Sequence, residues 1–243
     1  MKIGGFHKFS MLDYPGQLAA IVFAQGCNFR CPYCHNPQLV DPLRFSKPLR
    51  NSRILDFLAR RKGRLGAVVI SGGEPTCQPD LVDFVRQLKA LGYLVKIDTN
   101  GSLPEVIGAL ASESLVDYWA MDLKAPLDMY AALTKTTIPV NHILKSMDII
   151  RSSKKEYEFR TTYFERLFDF GDILRIQELL ASGDRYVLQE CRYGDTLEDL
   201  SALPAPALPA ESSSFMHLRD NPACKSLLRW GDRHQVSIRI RSL

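Results

Sequence analysis

The 243-residue sequence contains no apolar run near the roughly 20 residues that a membrane-spanning helix needs. Its first residues, Met1-Lys2-Ile3-Gly4-Gly5, carry no apolar signal segment, so a cytoplasmic protein is expected. Basic stretches interleaved with aromatics are also missing. Arg60-Arg61-Lys62 reads as the last turn of a helix, where cations complement the dipole. With a net charge of only +4, nothing argues for nucleic acid; the mild excess suits anionic ligands or an acidic protein surface. No segment repeats at a fixed period. Without a secretory context a disulfide framework is not expected. The six cysteines then read as metal ligands plus buried thiols, with the scattered Cys77, Cys191 and Cys224 as buried small hydrophobes.

What the chain does have is Gln25-Gly26-Cys27-Asn28-Phe29-Arg30-Cys31-Pro32-Tyr33-Cys34-His35-Asn36. Three cysteines spaced C-x3-C-x2-C sit on a loop with Gly, Asn and Pro. A loop can turn all three side chains toward one point, whereas a helix or strand would point some of them apart. Three soft sulfur donors suit an iron–sulfur cluster or zinc. A closed zinc site wants four ligands, which His35 could complete as Cys3His. The iron–sulfur reading is a cubane with one iron left open, and a disulfide pair with a spare thiol is the third.

A composition of 46% hydrophobic residues over this length can bury one large core. A single domain over residues 1–243 is expected, with a core of about 16–190 and a C-terminal extension from 191. Strand then helix recurs along it. Strands are predicted at Ala19–Ala24, Ala67–Ile70, Leu94–Ile97, Tyr118–Met121, Tyr157–Tyr163 and Tyr186–Gln189. Ala67–Ile70, apolar on both faces, is what a buried parallel strand looks like. Helices are predicted at Asn51–Lys62 (capped by Asn51-Ser52), Pro79–Leu91, Pro104–Ala111, Leu127–Leu133, Asn141–Ser152 and Phe170–Leu180. Phe9–Gly16 reads as a turn, Pro37–Pro48 as an irregular connection, and Leu203–Ala210 as a surface loop because its prolines remove donors. A helix near Pro222–Arg229 and a strand at Val236–Ile240 close the chain. Six β/α steps of this length predict an α/β fold, a partial parallel (β/α)6 barrel, rather than a closed eight-strand barrel.

Parallel α/β sheets place their chemistry beyond the C-terminal strand ends. There stand Ser71-Gly72-Gly73-Glu74-Pro75, Asp98-Thr99-Asn100-Gly101 and Met121-Asp122-Leu123-Lys124. Gly72 and Gly73 allow close backbone approach to a ligand. Asn100-Gly101 is also a plain turn signal. Arg160, inside a predicted strand, needs an anionic partner; a bound carboxylate or Asp122 would serve.

The cysteine loop with Tyr33 in its aromatic slot, followed by Gly72-Gly73-Glu74, resembles the radical S-adenosylmethionine (SAM) superfamily. Residues Gly5–Phe23 and Gln25–Pro37, with Tyr157–Thr162 and Tyr186–Gln189, are similar to proteins identified as anaerobic ribonucleoside-triphosphate reductase activating proteins. The likeness covers about residues 3–190. It implies a 4Fe–4S cluster on Cys27, Cys31 and Cys34, with SAM on the open iron. It implies that reductive cleavage of SAM yields a 5′-deoxyadenosyl radical, which takes a hydrogen atom from a glycine Cα of a large glycyl-radical enzyme. The Gly72-Gly73-Glu74 element would meet the SAM amino group, and Lys124 its carboxylate. Asp98 and Asn100 would line the SAM site, and Asp122 would contact SAM or a monovalent cation. Arg160 would be a second partner of the SAM carboxylate or a partner of Asp122, and His35 would pack near the adenine or the cluster or stand as a surface histidine. A flavodoxin- or ferredoxin-type electron donor is implied. No second cysteine cluster of ferredoxin type follows the first. Phe164–Phe168 stands where many members carry a Pro-Gly turn, a departure that bears on partner docking. A formate-lyase-type activase, a small-molecule radical SAM enzyme of deazapurine synthesis and a Cys3His zinc module are the competing functions.

Overall fold

The computed structural model describes residues 1–164, 166–167, 169–191, 194–200 and 222–241. The stretch expected as a proline-rich loop, Leu203–Ala210, lies outside the described residues. Among the described residues the sheet has eight strands in sequence order: β1 (Ile3–Ser10), β2 (Ala19–Ala24), β3 (Ala67–Gly72), β4 (Leu94–Thr99), β5 (Tyr118–Asp122), β6 (Glu156–Tyr163), β7 (Arg185–Glu190) and β8 (Ser237–Arg241). From β2 to β8 every pairing is parallel. β1 pairs antiparallel with β2, and β1 and β8 are the edges. The six expected parallel strands are all present; the expected last strand adds a seventh parallel one.

The strand β1 corrects the sequence reading, which has only a turn from Phe9. Gly4 and Gly5 weaken any strand signal. Their reason is packing: a Cβ on Gly4 would stand 2.5 Å from Leu39 Cδ2, and one on Gly5 3.2 Å from Phe23 Cδ2. The helices are α1 (Pro37–Val40), α2 (Asn51–Arg61), α3 (Leu81–Ala90), α4 (Pro104–Ser112), α5 (Tyr130–Thr134), α6 (Val140–Ser152), α7 (Phe170–Gln177) and α8 (Pro222–His234). The expected irregular connection holds α1, whose Leu39 carbonyl accepts from Gly26 N at 2.7 Å. Helix α2 begins at Asn51 with Arg50 in the cap position and no side-chain cap, so Asn51-Ser52 does not cap it. Among the described residues no helix is long and apolar enough to cross a membrane.

Alternation along the strands divides the sheet into two faces. The outer face carries Val22, Ile70, Ile97, Trp119, Phe159 and Leu188, packed with Leu58, Phe84, Leu110, Met147 and Ile176 from the helices. Each such buried side chain contributes about 1.5–3 kcal/mol. The inner face begins apolar, with Ala19, Ile21, Ala67, Val69 and Tyr118 packed on Tyr14. Farther along the same strands it turns polar: Lys96 and Asp98 on β4, Asp122 on β5, Glu158 and Arg160 on β6. In register, Asp122 faces Arg160 and Ala120 faces Glu158. All parallel strands deliver their C-terminal ends to one side, so the polar residues gather at one mouth.

Candidate cofactor site at the strand ends

The cysteine loop is moulded over this mouth by backbone contacts from both sides. Gly73 N donates to Ala24 O at 2.9 Å, and Glu74 N to Gly26 O at 2.8 Å. This approach is so close that a Cβ on Gly73 would lie 2.1 Å from Gly26 O. Gly72 sits at φ +107°, a region open to glycine. From the other side Arg30 N donates to Thr134 O, Leu197 N to Cys34 O and Glu198 N to Pro32 O. The Arg30 guanidinium turns inward on its own loop, donating to Cys27 O at 2.7 Å and Phe29 O at 2.8 Å.

One cavity of about 220 Å³ opens there, and every residue singled out from the sequence lines it: Cys27, Cys31, Tyr33, Cys34, His35, Gly72, Gly73, Glu74, Asp98, Asn100, Asp122, Lys124 and Arg160. Ser71 and Thr99 of the strand-end motifs also line it, and so do Thr162 and Gln189, which belong to no motif singled out from the sequence although each falls at the polar end of a predicted strand. Of the other cysteines, Cys191 and Cys224 are buried as expected, whereas Cys77 is half-buried.

The carboxylates divide into two kinds. Glu74 is buried, and hydrogen-bond donors occupy both its oxygens. Thr76 N, Thr76 Oγ1 and Thr99 Oγ1 donate to Oε1 at 3.0, 2.6 and 2.8 Å. Asn100 N donates to Oε2 at 2.7 Å. Burial raises its pKa despite these bonds. Glu74 therefore ties the end of β3 to the end of β4. By contrast Asp98 and Asp122 face cations. Burial alone would raise both; Lys96 with Arg160 at Asp98, and Arg160 with Lys124 at Asp122, reverse the direction. Asp122 falls to about 2. Lys124 is held well above its usual value: burial opposes its charge, and Asp122, Tyr33 and Cys31 favour it.

The donor set fits an iron–sulfur cluster. Three thiols share one cavity, and burial pushes all three upward, Cys31 to about 11. They are neutral until a metal displaces their protons. Phe29 N already lies 3.3 Å from Cys27 Sγ, a donor of the kind that supports a cluster sulfur. The buried Tyr33 hydroxyl has no hydrogen-bond partner, a polar atom beside the thiols that awaits one. The ring nitrogen of His35 lies 3.6 Å from Cys191 Sγ. Among the described residues no group of three or more His, Cys, Asp or Glu closes around a single metal ion; a cluster spreads its ligands over several iron atoms.

A profile of the radical SAM superfamily matches residues 21–169, and the chain belongs to that superfamily of enzymes, which use SAM with a 4Fe–4S cluster. Over 213 residues, 84% of this chain and 86% of its relative, it is 36% identical to a Methanocaldococcus jannaschii protein provisionally named a glycyl-radical enzyme activating enzyme. It is 30% identical over 187 residues to the pyruvate formate-lyase-activating enzyme of Staphylococcus epidermidis, 71% of this chain and 72% of that one. Its fold is similar to that of SuiB of Streptococcus suis bound to S-adenosylmethionine, with a TM-score of 0.65 at 14% identity over 91% of this chain. The chain spans about half the length of that structure, 51%.

Proposed function

We propose that this chain activates a glycyl-radical enzyme, with Cys27, Cys31 and Cys34 holding the cluster and the rest of the cavity holding SAM. The carrying observation is that three thiols, a glycine-rich strand end and a cationic pair share one cavity. When bound, the cluster and SAM would supply the chemistry for abstraction of a hydrogen atom from a glycine Cα of the partner. The chain's own residues bind, orient and shield. Gly72 and Gly73 present backbone to the SAM amino group; Glu74, with both oxygens engaged, holds that backbone in place. Lys124 and Arg160 provide the positive charge for the carboxylate. Asn100 donates to Asn28 Oδ1 at 2.9 Å and so links its strand end to the cysteine loop. Asp98 braces Arg160, and His35 stands on the loop beside Cys34. Buried Phe29, Tyr33 and Val40 on the cavity wall keep water from the reacting atoms.

The partner is proposed to be anaerobic ribonucleoside-triphosphate reductase, on the sequence likeness of Gly5–Phe23 and Gln25–Pro37. Similarity to a pyruvate formate-lyase-activating enzyme favours a formate-lyase-type partner as the second reading. The electron donor is proposed to be a flavodoxin or ferredoxin. The deciding experiment is anaerobic incubation of reduced, cluster-loaded protein with SAM and each partner. Formation of 5′-deoxyadenosine with a glycyl-radical signal in one partner is expected. Cleavage of SAM with no such signal in either would replace the activase reading by a small-molecule one.

A further inference from the structure

The likeness to activating enzymes leaves a monovalent cation as a candidate ligand of Asp122. The residues around Asp122 do not fit one. Its Oδ1 accepts from Arg160 Nε at 2.8 Å and its Oδ2 from Lys124 Nζ at 2.8 Å. Across the same guanidinium, Asp98 Oδ1 lies 3.4 Å from Arg160 Nη1 and 3.3 Å from Lys96 Nζ. One layer deeper, Glu158 lies 4.0 Å from Arg160 and 3.6 Å from Arg241, and it accepts from Tyr118 Oη at 3.2 Å.

In this contact network four cations, Lys96, Lys124, Arg160 and Arg241, face three carboxylates, Asp98, Asp122 and Glu158. Arg241 is 42% exposed, so the buried part of the network balances at three cations and three carboxylates. A metal ion would have to strip oxygens from these partners and would add a positive charge to a set already balanced. Arg160 is also fixed in place. It pairs with Asp122 in the ladder, and its carbonyl accepts from Leu123 N at 2.7 Å. Its guanidinium stays charged at every working pH.

We infer that Arg160 is the resident cation of this site: its guanidinium stands where a monovalent metal ion would sit, bridging Asp98 and Asp122, and SAM binding needs no sodium or potassium. The inference rests on the SAM reading above. It deepens that reading by assigning the site's ion requirement to a side chain.

The test is SAM binding to anaerobically cluster-loaded protein by calorimetry. Potassium chloride or sodium chloride replaces tetramethylammonium chloride at constant ionic strength. The wild-type dissociation constant is expected to stay within about twofold across the three salts. Arg160→Gln is expected to weaken binding by about tenfold or more, with recovery in potassium or sodium. Arg160→Lys, which keeps the charge, is expected to remain ion-independent. Wild-type binding that tightens about tenfold in either metal salt overturns the inference. So does an Arg160→Gln variant that binds as wild type, or one that no ion restores. If Arg160→Gln does not fold, the wild-type series decides. If SAM binds in no salt, the SAM reading itself fails. The melting temperature of the unloaded wild type then decides this inference: equal in the three salts supports it, and a rise in potassium or sodium overturns it.

Discussion

The inner face of the barrel is two environments built on the same strands. At the floor, Ala19, Ile21, Ala67, Val69 and Tyr118 pack on Tyr14. There Lys96 donates to Asp13 O at 2.7 Å and so ties the segment after β1 to the strands. At the mouth, a few residues further along β3 to β6, the inward positions hold Ser71, Asp98, Asp122 and Arg160. Residue period decides which face a side chain joins; distance along the strand decides whether it packs in the floor or serves the ligand. The floor depends on burial and the mouth on charge, so perturbations at the two ends should separate.

The largest effect belongs to the loop over the mouth. Cys31→Ala is expected to reduce SAM cleavage to background and to lower bound iron, with unchanged far-UV circular dichroism. Cleavage at wild-type rate would remove Cys31 from the ligand set. Lys124→Met is expected to weaken SAM binding by about tenfold to a hundredfold. Its melting temperature should move little, because Asp122 keeps Arg160 as partner. At the floor, Ile21→Ala removes a buried side chain and should cost about 2–4 kcal/mol of stability, with SAM affinity kept. Loss of affinity in that variant would show that floor and mouth are not independent.

The smallest effect is that of pH. The Asp122 carboxyl is lowered from 3.8 to about 2 in the folded chain. Stability from such a depressed group is complete above its unfolded value and is lost as pH falls through the folded one. Asp98 is lowered as well. The contribution of the pair should therefore hold from neutral pH to about pH 5 and disappear toward about pH 2. Acid unfolding of wild type against Asp122→Asn measures it: the two curves should converge at the acid end.

The sequence shows the strands through their β-branched, aromatic and apolar residues, and all six expected runs lie in the sheet. It shows the mouth through its punctuation, since Gly72-Gly73-Glu74, Asp98 and Asp122-Lys124 each end a run. Strand β1 stays hidden because it is an edge strand whose two glycines answer to Leu39 and Phe23, contacts absent from local pattern. Lys96 and Glu158 carry the same signal as Arg160, a charge inside a strand, and each joins the same ion network. Glu74 reads as a site residue from its motif, but its occupation by Thr76, Thr99 and Asn100 depends on two strand ends meeting. That is tertiary information.

The most direct measurement is electron paramagnetic resonance of the anaerobically loaded, reduced protein, with and without SAM. A four-iron cluster held by three cysteine thiolates leaves one iron for SAM, so the reduced signal should change shape and position when SAM is added. A protein that binds no iron, or a cluster whose signal SAM leaves untouched, would contradict the account.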